Sequence, residues 1–169
     1  MEFRKAEISE VAEIMDIIKE AQDYFESKGI NQWQNNYPDL RVINDDIIKG
    51  NSFVLLKDNR IIAITAVFFF EERTYRKIYN GQWLSDKQYA VIHRIAVANE
   101  YKRKGAASFI LKTVEDMCEK KGVSSIRIDT HHDNIAMQKF VEKKAFKYCG
   151  IIFLEDGSKR LAYEKLISA

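Results

Sequence analysis

The chain is poor in the residues that build disulfide scaffolds and metal centres. Its 169 residues include two cysteines, Cys118 and Cys149, which are too few for a disulfide framework or a cysteine-rich metal cluster. The three histidines lack the spacing of a zinc site, so we expect no metal. Lysine and arginine total 27 against 25 acidic residues, and this near balance disfavours a strongly basic nucleic-acid-binding protein.

Long hydrophobic runs are missing as well. The longest covers residues 61–70 and is interrupted by Thr65, whereas a membrane-spanning helix needs about 20 apolar residues. Residues 1–7 lack the apolar segment of a secretory signal peptide. We therefore expect no membrane association and a cytoplasmic location.

The composition is otherwise that of a folded protein. Hydrophobic residues make up 46% of the chain, which is enough to offset the conformational entropy that keeps polar chains disordered. No repeat or flexible linker divides the sequence, so we predict a single domain over residues 1–169. Glycine is scarce, with seven residues, and Gly105 beside a run of basic residues needs a specific reason.

Hydrophobic periodicity predicts a mixture of helices and strands. Strands are predicted at residues 3–6, 52–56, 61–70, 89–97, 125–129, 148–154 and 161–166. Helices are predicted from an N-cap at Ser9 onward and at residues 40–49, 106–121 and 134–144. The order βααβββαβαββ predicts a layered α/β (α+β) fold with a mixed, mostly antiparallel central sheet flanked by helices.

The most informative segment connects the strand at 89–97 to the helix at 106–121. Lys102, Arg103 and Lys104 stand directly before Gly105 at the start of that helix. A helix N-terminus presents unpaired backbone N–H groups, and a glycine lets a ligand approach the backbone closely. The segment therefore suits a pyrophosphate, although it matches neither a Walker A loop nor Gly-x-Gly-x-x-Gly. The alternative is a solvated basic turn.

Together with its surroundings, this segment resembles the GNAT superfamily of acetyl-CoA-dependent N-acetyltransferases. That family carries an Arg/Gln-x-x-Gly-x-Gly/Ala loop where residues 102–107 read Lys-Arg-Lys-Gly-Ala-Ala. Residues 133–146 are similar to the family's Asn-x-x-Ala-x-x-Leu-Tyr-Glu-Lys-x-Gly-Phe helix and turn, and the order of elements also agrees. The resemblance covers nearly the whole chain and implies the family's three-layer fold.

Three positions depart from the family pattern. Lys102 replaces the first Arg/Gln of the loop and loses the guanidinium fork. Ala145 replaces the glycine before the final phenylalanine, which here is Phe146. Val141 replaces a tyrosine that in many members protonates the leaving CoA thiolate, so the acid must be another residue or water.

The resemblance implies acetyl-CoA as cosubstrate, bound by three groups of residues. They are Ile95, Ala96 and Val97 of the strand, Lys102, Arg103, Lys104, Gly105, Ala106, Ala107 and Ser108 of the loop and helix start, and Asn134, Met137, Phe140 and Lys143 of the later helix. The first group lends backbone contacts to the acetyl group and pantetheine arm, and the second holds the pyrophosphate. The third faces the pantetheine arm or the 3′-phosphate end. Core packing is the alternative for Met137 and Phe140, and a solvated surface for Lys143.

The base in this chemistry must accept a proton near neutral pH, which suits histidine, with an ordinary pKa of about 6.5. His93 is the candidate, because strand alternation places it on the same face as Ile95. The pattern at 93–97 is also similar to arylalkylamine N-acetyltransferases, in which a histidine on this strand is the base. Glu71 and Glu72 are alternative bases, and a histidine with a purely structural role in the sheet is the other alternative.

The acid and the acceptor pocket are less constrained by the sequence. Tyr148 is the candidate acid, followed by Cys149 and one of the adjacent pair His131 and His132. The resemblance implies an acceptor pocket shaped by two regions rich in aromatic residues, and the acceptor contacts are expected at Trp33, Tyr37 and Glu71. Aromatic walls suit an apolar or cationic amine. The alternative for Trp33 and Tyr37 is a structural anchor for their loop.

The sequence therefore predicts an N-acetyltransferase. It would move the acetyl group to a primary amine of a small molecule or peptide by direct attack in a ternary complex. The alternative, which Val141 favours, is a non-catalytic acyl-CoA-binding or sensor module. A nucleic-acid partner is disfavoured by the net charge of +2, and a homodimer is compatible with the family without being indicated by the sequence.

Overall fold

A computed structural model describes residues 1–168, which contain seven strands and four α-helices. The strands are β1 (Glu2–Lys5), β2 (Ser52–Lys57), β3 (Arg60–Phe68), β4 (Tyr89–Val97), β5 (Ser125–Thr130), β6 (Lys147–Phe153) and β7 (Lys159–Leu166). The helices are α1 (Val11–Ser27), α2 (Leu40–Ile48), α3 (Ala106–Lys121) and α4 (Ile135–Lys143), and 3-10 turns cover Ile8–Glu10, Arg73–Tyr75 and Asn99–Tyr101. The predicted order βααβββαβαββ is confirmed.

The strands form one mixed sheet in the order β1-β2-β3-β4-β5-β7-β6. The β1–β2, β2–β3, β5–β7 and β6–β7 pairs are antiparallel, whereas β4 and β5 are parallel. The parallel ladder pairs Tyr89–Val91 with Ser125–Arg127. The predicted α+β class with a mixed, mostly antiparallel sheet and flanking helices is therefore confirmed.

The described residues cluster into two compact units, of which the first comprises residues 1–67 and 93–113. Its core joins α1 and α2 to β2, β3 and the end of β4, through Ile14, Ile17, Ile18, Ile43, Val54, Leu56, Ile64, Ala96 and Ala98. Complete burial of an isoleucine side chain contributes about 1.5–3 kcal/mol. This core therefore holds the last residues of β4 firmly against the two N-terminal helices.

The second unit comprises residues 68–92 and the chain from 114 onward. Its buried cluster contains Tyr75, Val91, Ile152 and Ala162, with Trp83 and Tyr89 packed against it. Because the described residues divide into these two units, the single domain that the sequence predicts over residues 1–169 stays a prediction. Among residues 1–168, no helix combines the length and apolar character that a membrane crossing requires.

The start of α1 differs from the expected one. The predicted cap, Ser9, lies inside the 3-10 turn; Glu7 caps that turn, and Glu10 takes the N-cap position of α1. The Glu7 backbone N–H donates to Glu10 Oε2 at 2.8 Å, which forms a capping box, and Arg4 donates to Glu10 Oε1 at 2.6 Å. Serine is a preferred N-cap residue in helices generally. Here the hydrogen bond from Arg4 fixes the Glu10 carboxylate, and this determines where the turn begins.

The ends of the helices explain one departure from the family pattern. A glycine with a left-handed φ angle follows each of α1, α2 and α3, namely Gly29, Gly50 and Gly122. The corresponding residue after α4 is Ala145, at φ +67°. The Phe146 N–H donates to the Val141 carbonyl and the Ala145 N–H to the Glu142 carbonyl, both at 3.0 Å. This is a Schellman motif, and its apolar pair, Val141 and Phe146, is buried. Alanine thus occupies a backbone conformation that favours glycine.

We expect Ala145→Gly to raise the free energy of unfolding by about 0.5–1 kcal/mol, because relief of the left-handed strain exceeds the entropy that glycine adds to the unfolded chain. Chemical denaturation measures the change. The control is Ala136→Gly on the exposed face of α4, which we expect to destabilise by about 0.5–1 kcal/mol because glycine weakens a helix. A loss of stability in Ala145→Gly would contradict the argument.

Candidate active site

The predicted site residues are divided between the two units, and the first unit carries the end of β4. Arg94 lies within this strand at φ +55°, a left-handed conformation for a residue other than glycine. Such a residue interrupts the alternation of an extended strand, so the regular shared face predicted for His93 and Ile95 does not continue through Arg94. Ala96 is buried beyond it, whereas His93, Ile95 and Val97 are half-buried.

The Arg94 side chain is held by α2. Its Nε donates to Asp46 Oδ2 at 2.6 Å and its Nη2 to Asp46 Oδ1 at 2.7 Å, while Nη1 donates to the Tyr37 hydroxyl at 3.3 Å. The side chains of Arg94 and Asp46 are only 11% and 7% exposed. Burial lowers the pKa of Arg94, but the hydrogen bonds and charge of Asp46 more than offset this, so that its pKa is raised and the guanidinium stays charged.

The turn after β4 is held by α1. The Asn99 backbone N–H donates to Glu20 Oε2 at 2.6 Å, and Lys102 Nζ lies 4.6 Å from the centre of the Tyr24 ring. Burial lowers the pKa of Lys102, against the opposing effect of the Glu20 carboxylate. Lys102 therefore packs against α1, which its prediction as a pyrophosphate ligand did not anticipate.

The next residues form an open, basic surface at the start of α3. Arg103 and Gly105 have φ values of +62° and +88°, and both are exposed, as is Lys104. A Cβ atom added at Gly105 would meet nothing within 4 Å, so the φ angle and not crowding requires glycine here. The helix begins with the Phe109 N–H bonded to the Gly105 carbonyl at 2.9 Å.

These features fit a diphosphate group. By helix geometry, the backbone N–H groups of Ala106, Ala107 and Ser108 have no acceptor within α3. They carry the positive end of the helix dipole, beside the open space at Gly105 and next to two exposed cations. The cation charge and the N–H groups together can neutralise and orient an anionic ligand.

The second unit carries the predicted residues of α4. The Asn134 side-chain oxygen accepts a hydrogen bond from the Met137 N–H at 3.1 Å, so Asn134 caps the helix. Met137 and Phe140 are half-buried, and Lys143 is exposed. The capping role of Asn134 explains its burial, and cofactor contacts by these four residues stay predictions.

The candidate acids differ in their accessibility. Tyr148 is half exposed, with its ring centre 5.7 Å from that of Tyr163. Cys149 is buried, its Sγ donates to the Lys147 carbonyl at 3.3 Å, and burial raises the pKa of its thiol. Of these two candidates, Tyr148 is the one whose side chain a ligand in solution can reach.

The adjacent histidines after β5 do not point in opposite directions as an extended segment would place them. Their rings stack with centres 4.2 Å apart in a turn. His131 is buried, its Nδ1 accepts a hydrogen bond from the Asp133 N–H at 3.0 Å, and burial lowers its pKa. His131, His132 and Asp133 bring ligand-type atoms within 4.8 Å of one another, and the Nδ1 atom of His131 is already engaged by the Asp133 N–H.

The three predicted acceptor contacts occupy different environments. Trp33 packs edge-on against Phe25, with ring centres 5.8 Å apart, at the border of the first core, which favours the structural alternative for Trp33. Tyr37 is 45% exposed, and its hydroxyl faces Arg94 as described above. Glu71 belongs to the second unit, where it pairs with Arg76 at 3.0 Å and lines a cavity of about 320 Å³.

Sequence reasoning missed Asp46 as a partner of the site. A signal for it exists, because Ile43, Asp46 and Ile47 follow the helical spacing of a buried face. A carboxylate on such a face needs a cationic partner within the fold, since an unpaired buried charge is strongly unfavourable. That partner, Arg94, is distant in sequence and was not identifiable from spacing alone.

Known proteins share both the sequence pattern and the fold. The acetyltransferase (GNAT) family matches residues 14–146. The crystal structure of a GNAT-family acetyltransferase from Streptococcus agalactiae is 34% identical, with 99% of this chain and 96% of that chain covered and a TM-score of 0.90. Among curated proteins, none shows significant sequence similarity to this chain.

More distant structures show the fold alone. The PaiA N-acetyltransferase of Thermoplasma acidophilum, in complex with coenzyme A, is 17% identical with 98% of each chain covered and a TM-score of 0.74. A ribosomal-protein-alanine N-acetyltransferase from Brucella melitensis is 14% identical, covers 98% of this chain and 99% of its own, and has a TM-score of 0.69. Given the family match over residues 14–146 and the 34% identity, the chain belongs to the GNAT family of acetyltransferases.

Proposed function

We propose that the protein transfers the acetyl group of acetyl-CoA to a primary amine of a small molecule or peptide, by direct attack in a ternary complex. The observation that carries the proposal is the start of α3, where Gly105 at φ +88° borders open space and exposed Arg103 and Lys104. Backbone N–H groups and cations in this arrangement suit a diphosphate. Family membership supports acetyl transfer as the reaction.

Each group of residues has a separate task in this proposal. The first-turn N–H groups of α3, with Arg103 and Lys104, bind the diphosphate of CoA. The backbone of Ile95, Ala96 and Val97 binds the thioester and pantetheine arm. Lys102 supports the loop through its packing on α1, and the remaining contacts along the cofactor fall to Asn134, Met137, Phe140 and Lys143.

The chemical step requires a neutral amine. His93 accepts the proton from the ammonium group, directly or through water, and the amine nitrogen attacks the thioester carbonyl carbon. Backbone N–H groups of β4 stabilise the negative oxygen that develops. The carbon–sulfur bond then breaks, the attacking nitrogen releases its extra proton to water to give the neutral amide, and the CoA thiolate takes a proton from Tyr148 or from water. The side chain of Val141 has no ionisable proton, so the acid must lie elsewhere.

We expect His93→Ala to lower kcat by about 100-fold, the usual contribution of a general base. The dissociation constant for acetyl-CoA stays unchanged, because the diphosphate contacts are intact. Asp45→Asn, at an exposed carboxylate of α2 that pairs with Lys49, is the control and keeps the wild-type rate. If His93→Ala keeps the wild-type kcat, His93 is not the base, and Glu71 and Glu72 are the next candidates.

A panel of amines tests the proposed function itself. The protein is incubated with acetyl-CoA carrying an isotopic label in the acetyl group, and the amines are analysed by mass spectrometry. We expect the label on at least one amine, with an equal amount of CoA thiol released. Binding of acetyl-CoA without labelling of any amine would contradict the proposal and favour the acyl-CoA sensor.

A further inference from the structure

The backbone of β4 has an unusual conformation at Arg94. Left-handed φ angles are disfavoured for L-amino acids other than glycine and persist only where the surroundings enforce them. Here the φ of +55° falls inside a strand whose other residues, 89–93 and 95–97, have no positive φ. A glycine would adopt this conformation without strain, so the presence of arginine requires an explanation in its side chain.

Two contacts hold this conformation, one at the preceding peptide and one at the side chain. The carbonyl of His93, in the preceding peptide, accepts a hydrogen bond from the buried Thr65 hydroxyl at 3.1 Å. The Arg94 side chain is fixed by two parallel hydrogen bonds to Asp46, at 2.6 and 2.7 Å. A bidentate fork of this kind sets the direction of the guanidinium plane, which a lysine ammonium cannot do.

Stability alone is a poor explanation for this pair. Its charged groups lose most of their hydration, with side chains only 11% and 7% exposed, and buried ion pairs gain little over apolar residues of similar size. The strained φ angle adds a further cost. The pair therefore carries two free-energy costs, the desolvation of its charges and the strained φ angle. It lies on the strand to which the proposed function assigns the thioester, and this indicates that it positions the backbone there.

We propose that Arg94 and Asp46 are positioning residues that hold the left-handed turn in β4, and that this turn directs the backbone N–H groups of the following residues toward the thioester carbonyl. The inference rests on the proposed function, because it assigns this part of β4 to the acetyl group. It goes beyond that function in naming the side-chain pair on which oxyanion stabilisation depends. The Tyr37 hydroxyl also accepts a hydrogen bond from Arg94 Nη1, at 3.3 Å.

The test compares ligands with and without the acetyl group. Acetyl-CoA and CoA are titrated into wild-type protein, Arg94→Lys and Asp46→Asn, and kcat is measured with an amine that the wild-type protein acetylates. We expect both variants to lose at least about tenfold in kcat, the effect of a misplaced oxyanion donor. Their affinity for acetyl-CoA falls by a smaller factor, because the ground-state carbonyl carries less charge than the oxyanion. Their affinity for CoA, which lacks the thioester carbonyl, stays at the wild-type value.

Two controls separate positioning from folding. Asp45→Asn alters the neighbouring carboxylate of α2, which is exposed and pairs with Lys49, and leaves both affinities and kcat unchanged. The double variant Arg94→Met/Asp46→Leu removes both buried charges together, which preserves the fold better than removing one. We expect it to bind CoA normally and to show the same loss of kcat as the single variants.

The outcomes distinguish the inference from the proposed function. Full kcat in the double variant, or equal losses of acetyl-CoA and CoA affinity in the single variants, would overturn the positioning role while acetyl transfer by the wild-type protein stands. A wild-type protein that binds neither acetyl-CoA nor CoA would overturn the proposed function, and the positioning role with it.

Discussion

Affinity for acetyl-CoA falls about 100-fold or more when Gly105 is replaced by glutamate, because like charges at a binding surface cost several kcal/mol. The space beside Gly105 is open, so the new carboxylate would occupy the place proposed for the diphosphate. Its charge would oppose the ligand directly, next to Arg103 and Lys104. Isothermal titration with acetyl-CoA measures the loss, and circular dichroism establishes that the variant is folded.

A matched control separates ligand repulsion from backbone strain. Gly157, in the turn between β6 and β7, has φ +84° against +88° at Gly105, and an added Cβ would also meet nothing within 4 Å. Gly157→Glu therefore carries the same strain away from the proposed site. We expect it to lose a similar amount of stability and to bind acetyl-CoA like the wild-type protein. Equal affinities in the two variants would contradict the assignment of the diphosphate to Gly105.

The largest effect on stability is expected at Glu164, which is fully buried in the second unit. Its carboxylate accepts hydrogen bonds from Ser125 Oγ and the Leu84 N–H at 2.6 Å and from Arg127 Nε at 3.0 Å. The Arg127 guanidinium also lies over aromatic rings, at 4.1 Å from the centre of Trp83. Glu164→Ala should lower the free energy of unfolding by about 3–5 kcal/mol, because it leaves the buried guanidinium without its counter-charge.

Urea denaturation of the Glu164 variant measures this loss. The control is Glu155→Ala, since Glu155 pairs with Arg73 at 3.9 Å with both side chains 79% exposed, and such pairs contribute about 0–1 kcal/mol. The double variant Arg127→Met/Glu164→Leu should be more stable than Glu164→Ala, because it leaves no unpaired buried charge. Similar stabilities for Glu164→Ala and Glu155→Ala would show that the buried network is unimportant.

The regular elements could be predicted where local signals agree. The bounds of β4 and α3 coincide with the predicted 89–97 and 106–121, because the apolar periodicity is strong and Gly122 ends the helix. Gly105 was identified from its basic neighbours and the helix that follows, and its positive φ angle confirms the need for glycine. These features depend on interactions among residues close in sequence.

The parts that could not be predicted depend on distant contacts. The left-handed backbone at Arg94 follows from its pairing with Asp46, 48 residues earlier in the chain. Lys102 packs on Tyr24 of α1, a contact that no local rule indicates. The sequence thus indicated a candidate segment for the site, whereas the direction of individual side chains within it required the tertiary structure.

The most direct test of the central claim is the rate of CoA thiol release from acetyl-CoA, measured with and without an amine panel in the wild-type and Gly105→Glu proteins. We predict that release by the wild-type protein depends on an amine and increases with its concentration. In Gly105→Glu, at an acetyl-CoA concentration near the wild-type KM, the amine-dependent rate should fall by about 50-fold or more, as a roughly 100-fold loss of affinity requires. Equal rates in the two proteins, or release that no amine accelerates, would contradict acetyl transfer from this site.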